Sequence, residues 1–507
     1  MRLDSLLAGC SLPYTVAQMS HGGMTRTCDA LVYDSRKASP DTAFVALTGA
    51  KSDGHLYAEK AYELGARIFF AERALSLPED ATVILFENTR AALAMLSDVF
   101  FSHPQRELTV IGITGTKGKT TTAYLLASVL QANGYETGII GTVGITYGGK
   151  TYPTVNSTPE SYVLHKTFRE MADAGVKYVV MEVSSQSLFT HRVDGIRFAY
   201  GVFTNLSEDH IGEGEHPSFA HYKDSKKHLF SMCEHAVLSM DSPYFDEFVQ
   251  SCSCPYTTFG RDKSASFTAS DIAPWRSETA MGVAFRCIEA DKEHFISLRI
   301  PGAFNVQNAL AAIAVLRRLG LSYEQILPPL ARATVPGRFE IIDALPYITA
   351  VIDYAHNGIS MENLLTTVRA YHPKRIVCLY GTVGGRTKHR REELGTVTAD
   401  LADFCILTTD NPDFEAPEQI IADLIPYYNA DTAPYVAIVD RKEAILYALH
   451  HAQVGDVLLF CGKGHETYQI VNGVHVPFSE KAIILEECAR MTEQAPQAAQ
   501  KAKKTHA

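Results

Sequence analysis

Short apolar runs recur along the chain, separated by stretches of helical periodicity. Ala43–Leu47 is followed by the helical pattern Tyr57–Leu64. Leu108–Thr114 is apolar and β-branched and leads toward the helical run Thr121–Gln131; Tyr178–Val183, Ala199–Asn205 and Ala236–Met240 repeat the apolar pattern. Continuous apolar runs of this length mark strands covered on both faces, as in a parallel sheet with helices on either side. Near Pro336-Gly337 the grammar restarts, with candidate strands at Ile348–Tyr354, Arg375–Tyr380, Phe404–Thr408, Tyr435–Val439 and Asp456–Cys461. That spacing predicts a second, smaller doubly wound sheet. The pattern gives an α/β chain of three domains: a small α/β N-terminal domain (1–105), a central parallel-sheet domain (106–334) and a Rossmann-like doubly wound domain (335–491). Residues 492–507, rich in Gln, Ala and Lys and without an apolar face, are expected to be a disordered or frayed tail.

Composition narrows the function classes. A length of 507 residues suits about three domains. The net charge of −11, with acidic and basic residues mixed, provides no basic field for a nucleic acid. Cys252 and Cys254 form a Cys-x-Cys, but no second pair follows at metal-ligand spacing, so no structural zinc is expected. Ten scattered cysteines suit a reducing compartment. Met1–Ala17 lacks the basic start and long apolar core of a signal peptide, and no apolar stretch approaches the ~18 residues of a membrane span. A cytoplasmic protein is expected.

The strongest chemical signal is Gly112-Ile113-Thr114-Gly115-Thr116-Lys117-Gly118-Lys119-Thr120, between a predicted strand and a predicted helix. Its glycines let backbone N–H groups approach phosphate oxygens, and the helix start adds a favourable field. Lys119 would neutralise terminal phosphates and the Thr120 hydroxyl would bind the accompanying magnesium. The central domain is thus a P-loop ATPase domain. Glu182, ending the run Tyr178–Val183, is a candidate magnesium ligand or simply a polar strand end. His210, after Phe203-Thr204-Asn205-Leu206-Ser207-Glu208-Asp209, is a candidate at the same sheet edge or a capping or core histidine.

In the form Gly115-Thr116-Lys117-Gly118-Lys119-Thr120-Thr121, the loop resembles that of the Mur ligases and the related folylpolyglutamate synthases, with Lys117 where Asn is more usual. The resemblance implies that Glu182 and His210 help bind metal. It also matches Lys226, in His221-Tyr222-Lys223-Asp224-Ser225-Lys226-Lys227, to a lysine carbamylated by CO2 (N6-carboxylysine) that ligates magnesium; Lys227 takes that role if the match slips by one residue. Asn308, in Gly302-Ala303-Phe304-Asn305-Val306-Gln307-Asn308, matches an adenine-side position, with Asn305 a possible cap of the helix containing Ala309–Leu319. Arg338 matches a γ-phosphate contact and Asp353 a ribose contact.

Tyr33-Asp34-Ser35-Arg36 resembles the uridine-nucleotide domain of the branch that adds the third amino acid to UDP-N-acetylmuramoyl-L-alanyl-D-glutamate. Ser35 matches the uridine contact; Ser157, Thr158, Ser184 and Arg192 match positions that hold the muramoyl peptide. Arg391 matches the grip on the incoming α-carboxylate, although Gly385 stands where an acidic residue is common. Gly462 and Glu466, in Gly462-Lys463-Gly464-His465-Glu466, match substrate contacts, with Glu466 accepting from an ammonium. Diaminopimelate-adding relatives carry Asp-Asn-Pro-Arg, whereas this chain has Asp410-Asn411-Pro412-Asp413. A carboxylate at 413 would repel a distal carboxylate and attract an ammonium, which favours L-lysine over L-ornithine or meso-diaminopimelate; a solvent-facing Asp413 would report nothing.

The resemblance therefore implies an ATP- and magnesium-dependent amide ligase of cell-wall synthesis, taking small-molecule substrates and acting as a monomer. The reaction would pass through an acyl phosphate, with His210 or water accepting the amine's proton. An inactive nucleotide-binding relative and a folylpolyglutamate-type ligase are the competing readings.

Overall fold

The computed structural model describes residues 1–49, 52–209, 211–212, 215–343, 345–385 and 388–505, excepting the side chains of 388 and 494–505. The chain forms two compact units, Met1–Phe267 with Ala311–Leu321, and Thr268–Leu310 with Ser322–Ala507.

The first unit holds two sheets. In the N-terminal one, strands β1 (Thr15–Gln18), β2 (Ala30–Val32), β3 (Thr42–Val45), β4 (Ile68–Ala71) and β5 (Thr82–Leu85) run in the order β1-β5-β4-β3-β2. Only β1 is antiparallel to its neighbour. The second sheet contains β6 (Thr109–Thr114), β7 (Thr137–Gly141), β8 (Gly144–Tyr147), β9 (Lys150–Tyr152), β10 (Tyr178–Glu182), β11 (Tyr200–Phe203), β12 (Ala236–Ser239) and β13 (Tyr256–Gly260), in the order β13-β12-β11-β6-β10-β7-β8-β9. The strands from β13 to β7 are parallel, and β7-β8-β9 is an antiparallel edge. β6 and β10 are buried almost throughout, as their unbroken apolar runs require. β6 lies between β10 and β11, so their C-terminal ends open together at a crevice suited to ligand. Helix Thr89–Phe100 packs on helix Ser161–Asp173, and Phe101 and Tyr162 meet with ring centroids 5.1 Å apart.

The second unit contains a sheet of β17 (Glu340–Ile342), β18 (Thr349–Asp353), β19 (Arg375–Tyr380), β20 (Phe404–Leu407), β21 (Tyr435–Ala437) and β22 (Asp456–Cys461), ordered β17-β18-β22-β19-β20-β21. All its pairings are parallel except β17 with β18. β23 (Tyr468–Val471) and β24 (Val474–Pro477) form a hairpin across Asn472-Gly473. Among the described residues no helix is long and apolar enough to cross a membrane, and all ten cysteines are free thiols.

The two compact units cut across the expected bounds at 105 and 334. The long strands β14 (Phe267–Arg276), β15 (Met281–Glu289) and β16 (Lys292–Leu298) lie almost wholly in the second unit, although no strand is expected there from continuous apolar runs. Their signal is of period two: Met281, Val283, Phe285 and Cys287 are all buried along one face of β15. The backbone is helical to Thr505, across the segment expected to be a disordered or frayed tail. Ala, Gln, Lys and Glu are strong helix formers, so this segment can be helical without an apolar face.

Candidate functional site

The loop after β6 turns through two glycines with positive φ, Gly115 at 148° and Gly118 at 85°. Gly118 is the N-cap of helix Lys119–Ala132 and brings no side-chain cap, which suits backbone N–H donation to an anion. Lys119 Nζ folds back to donate to the carbonyls of Gly115 (2.9 Å) and Thr116 (3.1 Å). The end of β11 clamps the loop: Asn205 Oδ1 accepts from Lys117 N at 2.9 Å, while Asn205 Nδ2 and Thr204 Oγ1 donate to Lys117 O. Lys117 Nζ lies 3.4 Å from Asp209. Thr121 follows in the first helical turn, half-buried.

Glu182, the last residue of β10, is 2% exposed and meets this loop directly. Its Oε1 accepts from Thr120 Oγ1 (2.8 Å) and Thr142 N (2.9 Å), and its Oε2 accepts from Thr142 Oγ1 at 3.1 Å. Gly141 permits that approach, because a Cβ there would overlap the Glu182 carboxylate. Hydroxyl and carboxylate oxygens at one point form a donor set suited to a hard divalent cation.

Lys226, 2% exposed, comes from helix Phe219–Lys227 and donates to Gly115 O at 2.9 Å. Burial, with the neighbouring Lys119 cation, holds its ammonium well below the usual lysine range. Tyr222, whose ring lies 4.5 Å from Lys226 Nζ, reaches Thr116 Oγ1 at 3.1 Å. His210 lies outside the described residues.

Thr158 Oγ1 donates to Glu182 O (2.9 Å) and accepts from Ser184 N (3.1 Å), placing Thr158 and Ser184 beside the Glu182 strand end. Ser184 Oγ caps the short helix Ser185–Phe189 through Ser187 N. Arg192 donates to Thr158 O at 3.1 Å and pairs with Glu160 at 3.0 Å. Ser157 is half-buried in the same segment. Ser35 begins a 3-10 turn capped by Asp34, and nearby Tyr33 is within electrostatic reach of Glu160 and Arg192.

In the second unit, Asn308 Nδ2 donates to Asn305 Oδ1 at 2.8 Å, and Asn305 Nδ2 donates to Pro301 O. Asn305 therefore lies inside helix Phe304–Arg318 instead of capping it. Asp353 accepts from Phe339 N (2.7 Å) and Ala355 N (2.8 Å); burial raises its pKa, against the pull of Arg338 and these N–H groups. Arg338 lies over the Tyr354 ring.

Asp410 and Asn411 follow β20 and converge with the Gly462–Glu466 segment after β22. Lys463 Nζ donates to Glu466 Oε2 (2.8 Å) and Asn411 Oδ1 (3.0 Å), with Asp410 Oδ1 3.6 Å away. Gly462, at φ 105°, permits this closeness, since a Cβ there would stand 2.6 Å from Asp410 Oδ2. Pro412 O accepts from Glu415 N at 3.0 Å. Asp413 does not simply face solvent. At φ 52° its backbone pairs with Ile470 and Asn472, and its Oδ1 accepts from Gly473 N at 2.8 Å, closing the β23–β24 turn. Arg391 is also engaged: its terminal nitrogens hold Glu415 at 2.8 and 2.6 Å and Asp423 at 2.6 Å. A substrate carboxylate at those nitrogens would displace one of these partners.

Sequence relatives match nearly the whole chain. A UDP-N-acetylmuramoyl-L-alanyl-D-glutamate–2,6-diaminopimelate ligase of Caldanaerobacter subterraneus subsp. tengcongensis is 41% identical over 487 residues, covering 96% of this chain and 98% of the relative. A protein of the same description from Clostridium perfringens is 38% identical over 492 residues, covering 96% and 99%. The chain belongs to the Mur ligase family. Three family models match in order: the Mur ligase family catalytic domain at 28–101, the Mur ligase middle domain at 113–316, and the Mur ligase glutamate ligase domain at 337–464. A solved structure of a ligase bearing the same description as those relatives shares the fold, with a TM-score of 0.69 and 24% identity, covering 97% of this chain and 99% of that one. The three-domain α/β architecture is that of the family, and this Mur ligase is an ATP-dependent enzyme.

Three residues near these candidates have no role legible in the sequence. Thr142 follows a glycine in no recognisable motif, and only the pairing of β7 with β10 brings it to Glu182. Lys463 lies in a recognised motif, but sequence reasoning gives roles only to its neighbours Gly462 and Glu466. His216, buried between Ser185 Oγ (2.9 Å) and His221 Nδ1 (2.8 Å), ties the Lys226 helix to the segment after β10.

Proposed function

We propose that this Mur ligase joins a diamino acid, 2,6-diaminopimelate, to the D-glutamate γ-carboxylate of UDP-N-acetylmuramoyl-L-alanyl-D-glutamate, using ATP. The observation carrying the ATP half is the meeting of Thr120 and Glu182 at the phosphate loop, beside Lys119 and the buried Lys226. The acceptor and amino acid rest on the relatives' described activity, and Ser35, Ser157, Thr158, Ser184 and Arg192 are the residues we assign to the nucleotide-linked dipeptide.

In the proposed reaction a γ-carboxylate oxygen attacks the terminal phosphorus of ATP, and the bond to ADP breaks. The α-amine then attacks the acyl phosphate carbon, loses a proton, and expels inorganic phosphate as the amide forms. Lys119 and the loop N–H groups hold the phosphates and offset their charge. Thr120 and Glu182 would hold magnesium, which neutralises phosphate charge when bound. The depressed basicity of Lys226 favours the neutral amine, the form able to add CO2 and become a carbamate. Asn308, Arg338 and Asp353 are assigned to the nucleotide, and Arg391, Asp410–Asp413, Gly462 and Glu466 to the amino acid.

L-Lysine is the second reading, favoured by a carboxylate at 413 where diaminopimelate-adding relatives carry arginine. Against it, Asp413 is built into the hairpin turn through the Gly473 amide. A co-substrate panel of meso-diaminopimelate, L-lysine and L-ornithine, read as phosphate release dependent on ATP and the nucleotide-linked dipeptide, decides. The highest kcat/KM is expected with diaminopimelate; a clear preference for L-lysine would install the second reading.

A further inference from the structure

We infer that Lys463 is a positioning residue for the amino-acid substrate, fixing which oxygen of Glu466 is presented to the substrate ammonium. This rests on the assignment of the 410–413 and 462–466 segments to the amino acid. Lys463 is 0% exposed, so its charge is placed by its partners and not by water. Those partners come from both segments: Glu466 Oε2, Asn411 Oδ1 and, at longer range, Asp410 Oδ1.

The consequence falls on Glu466. Its Oε2 takes donors from both Lys463 Nζ and Asn411 Nδ2 (3.0 Å), whereas Oε1 meets only a long 3.4 Å contact from the Tyr354 hydroxyl among the hydrogen bonds described. The Glu466 side chain retains 14% exposure, so an acceptor remains for a ligand. Asn411 is fixed in turn, its Oδ1 also accepting from Ile470 N at 3.0 Å.

Charge points the same way. Asp410, Glu466 and Glu480 are three carboxylates against the two cations Lys463 and Arg441, with Arg441 paired to Glu480 at 2.9 Å and also within electrostatic reach of Asp410. The cluster keeps an excess negative charge suited to an ammonium, while Lys463 limits repulsion between Asp410 and Glu466. Flanking glycines make the burial possible: Gly462 and Gly464 adopt φ 105° and 53°, and a Cβ at Gly464 would stand 2.7 Å from Tyr354 Cβ. Lys463→Met keeps the stem and removes the charge.

The test is steady-state kinetics of full-length Lys463→Met with ATP, UDP-N-acetylmuramoyl-L-alanyl-D-glutamate, and either meso-diaminopimelate or L-lysine. Expected is a rise of about tenfold or more in the KM of the diamino acid, with the other two KM values within about threefold of wild type. An equal rise for all three substrates, or a lower melting temperature with unchanged amino-acid KM, overturns the inference. Should the single variant not fold, Lys463→Met/Glu466→Gln is compared with Glu466→Gln. Equal amino-acid KM values support action through Glu466, and a further tenfold loss refutes it. A wild-type enzyme that uses neither diamino acid would instead remove the underlying assignment.

Discussion

Substituting Gly141 by alanine perturbs the site without replacing any residue assigned to chemistry. The added methyl would stand 3.0 Å from Glu182 Cδ and 3.1 Å from Cγ, and would overlap Oε1. Ordinary contact begins at 3.4 Å, so the stem must withdraw by a few tenths of an ångström and the carboxylate oxygen by more. Gly141 is the last residue of β7 and Glu182 the last of β10, so the adjacent strands leave little room for compensation. Oε1 is also the atom that accepts from Thr120 Oγ1 and Thr142 N, and both bonds are lost or stretched together. Displacement of a reacting constellation by ~1 Å lowers turnover by about 10²-fold. Folding should suffer much less, because the clashing group is the end of a side chain; a cost of about 1–2 kcal/mol is expected, within the range for small-to-large substitutions. Phosphate release dependent on both co-substrates, set beside a urea melt, separates the effects. A Gly141→Ala enzyme that folds and turns over at the wild-type rate would refute the placing of Glu182 in the reaction.

Two further predictions concern stability. His165 is fully buried, with neither ring nitrogen hydrogen-bonded, and burial pulls its pKa down to about 4. Since the folded pKa lies below the unfolded value of about 6.5, stability is complete above pH ~6.5 and falls as pH drops toward 4, by at most about 3 kcal/mol; urea unfolding across this range should show a shallower pH slope for His165→Phe, and an unchanged slope would contradict the account. Arg441 donates to Glu480, Thr409 O and Cys461 O in a fully buried pair; Arg441→Met should cost about 3–5 kcal/mol by leaving Glu480 unpaired, and a loss below about 1 kcal/mol in the same assay would show the pair to be dispensable.

The parallel strands were legible because burial on both faces forces unbroken apolar runs, as in β6, β10 and β19. The hairpin strands β15 and β16 were missed because an alternating sequence does not form such a run. The phosphate loop was readable because its chemistry is local: Gly115 to Thr120 are consecutive. Apart from the family resemblance, Glu182 could be named only by its position at a strand end, and its partner Thr142 needed the sheet order. Asp413 shows the limit most clearly. Its charge suggested a substrate preference, but sequence cannot show that Gly473, sixty residues on, supplies an amide to the same carboxylate.

The proposed reaction requires ATP to be held by the loop after β6 while it activates a carboxylate. The direct measurement is ADP and amide formation by full-length Lys119→Ala beside wild type, with UDP-N-acetylmuramoyl-L-alanyl-D-glutamate and the panel of diamino acids. Wild type should form ADP and amide one for one, and the variant should lose at least about 10³-fold in turnover while keeping its melting temperature within a few degrees. Amide formation by the variant at the wild-type rate, or by wild type without ATP, would contradict the account.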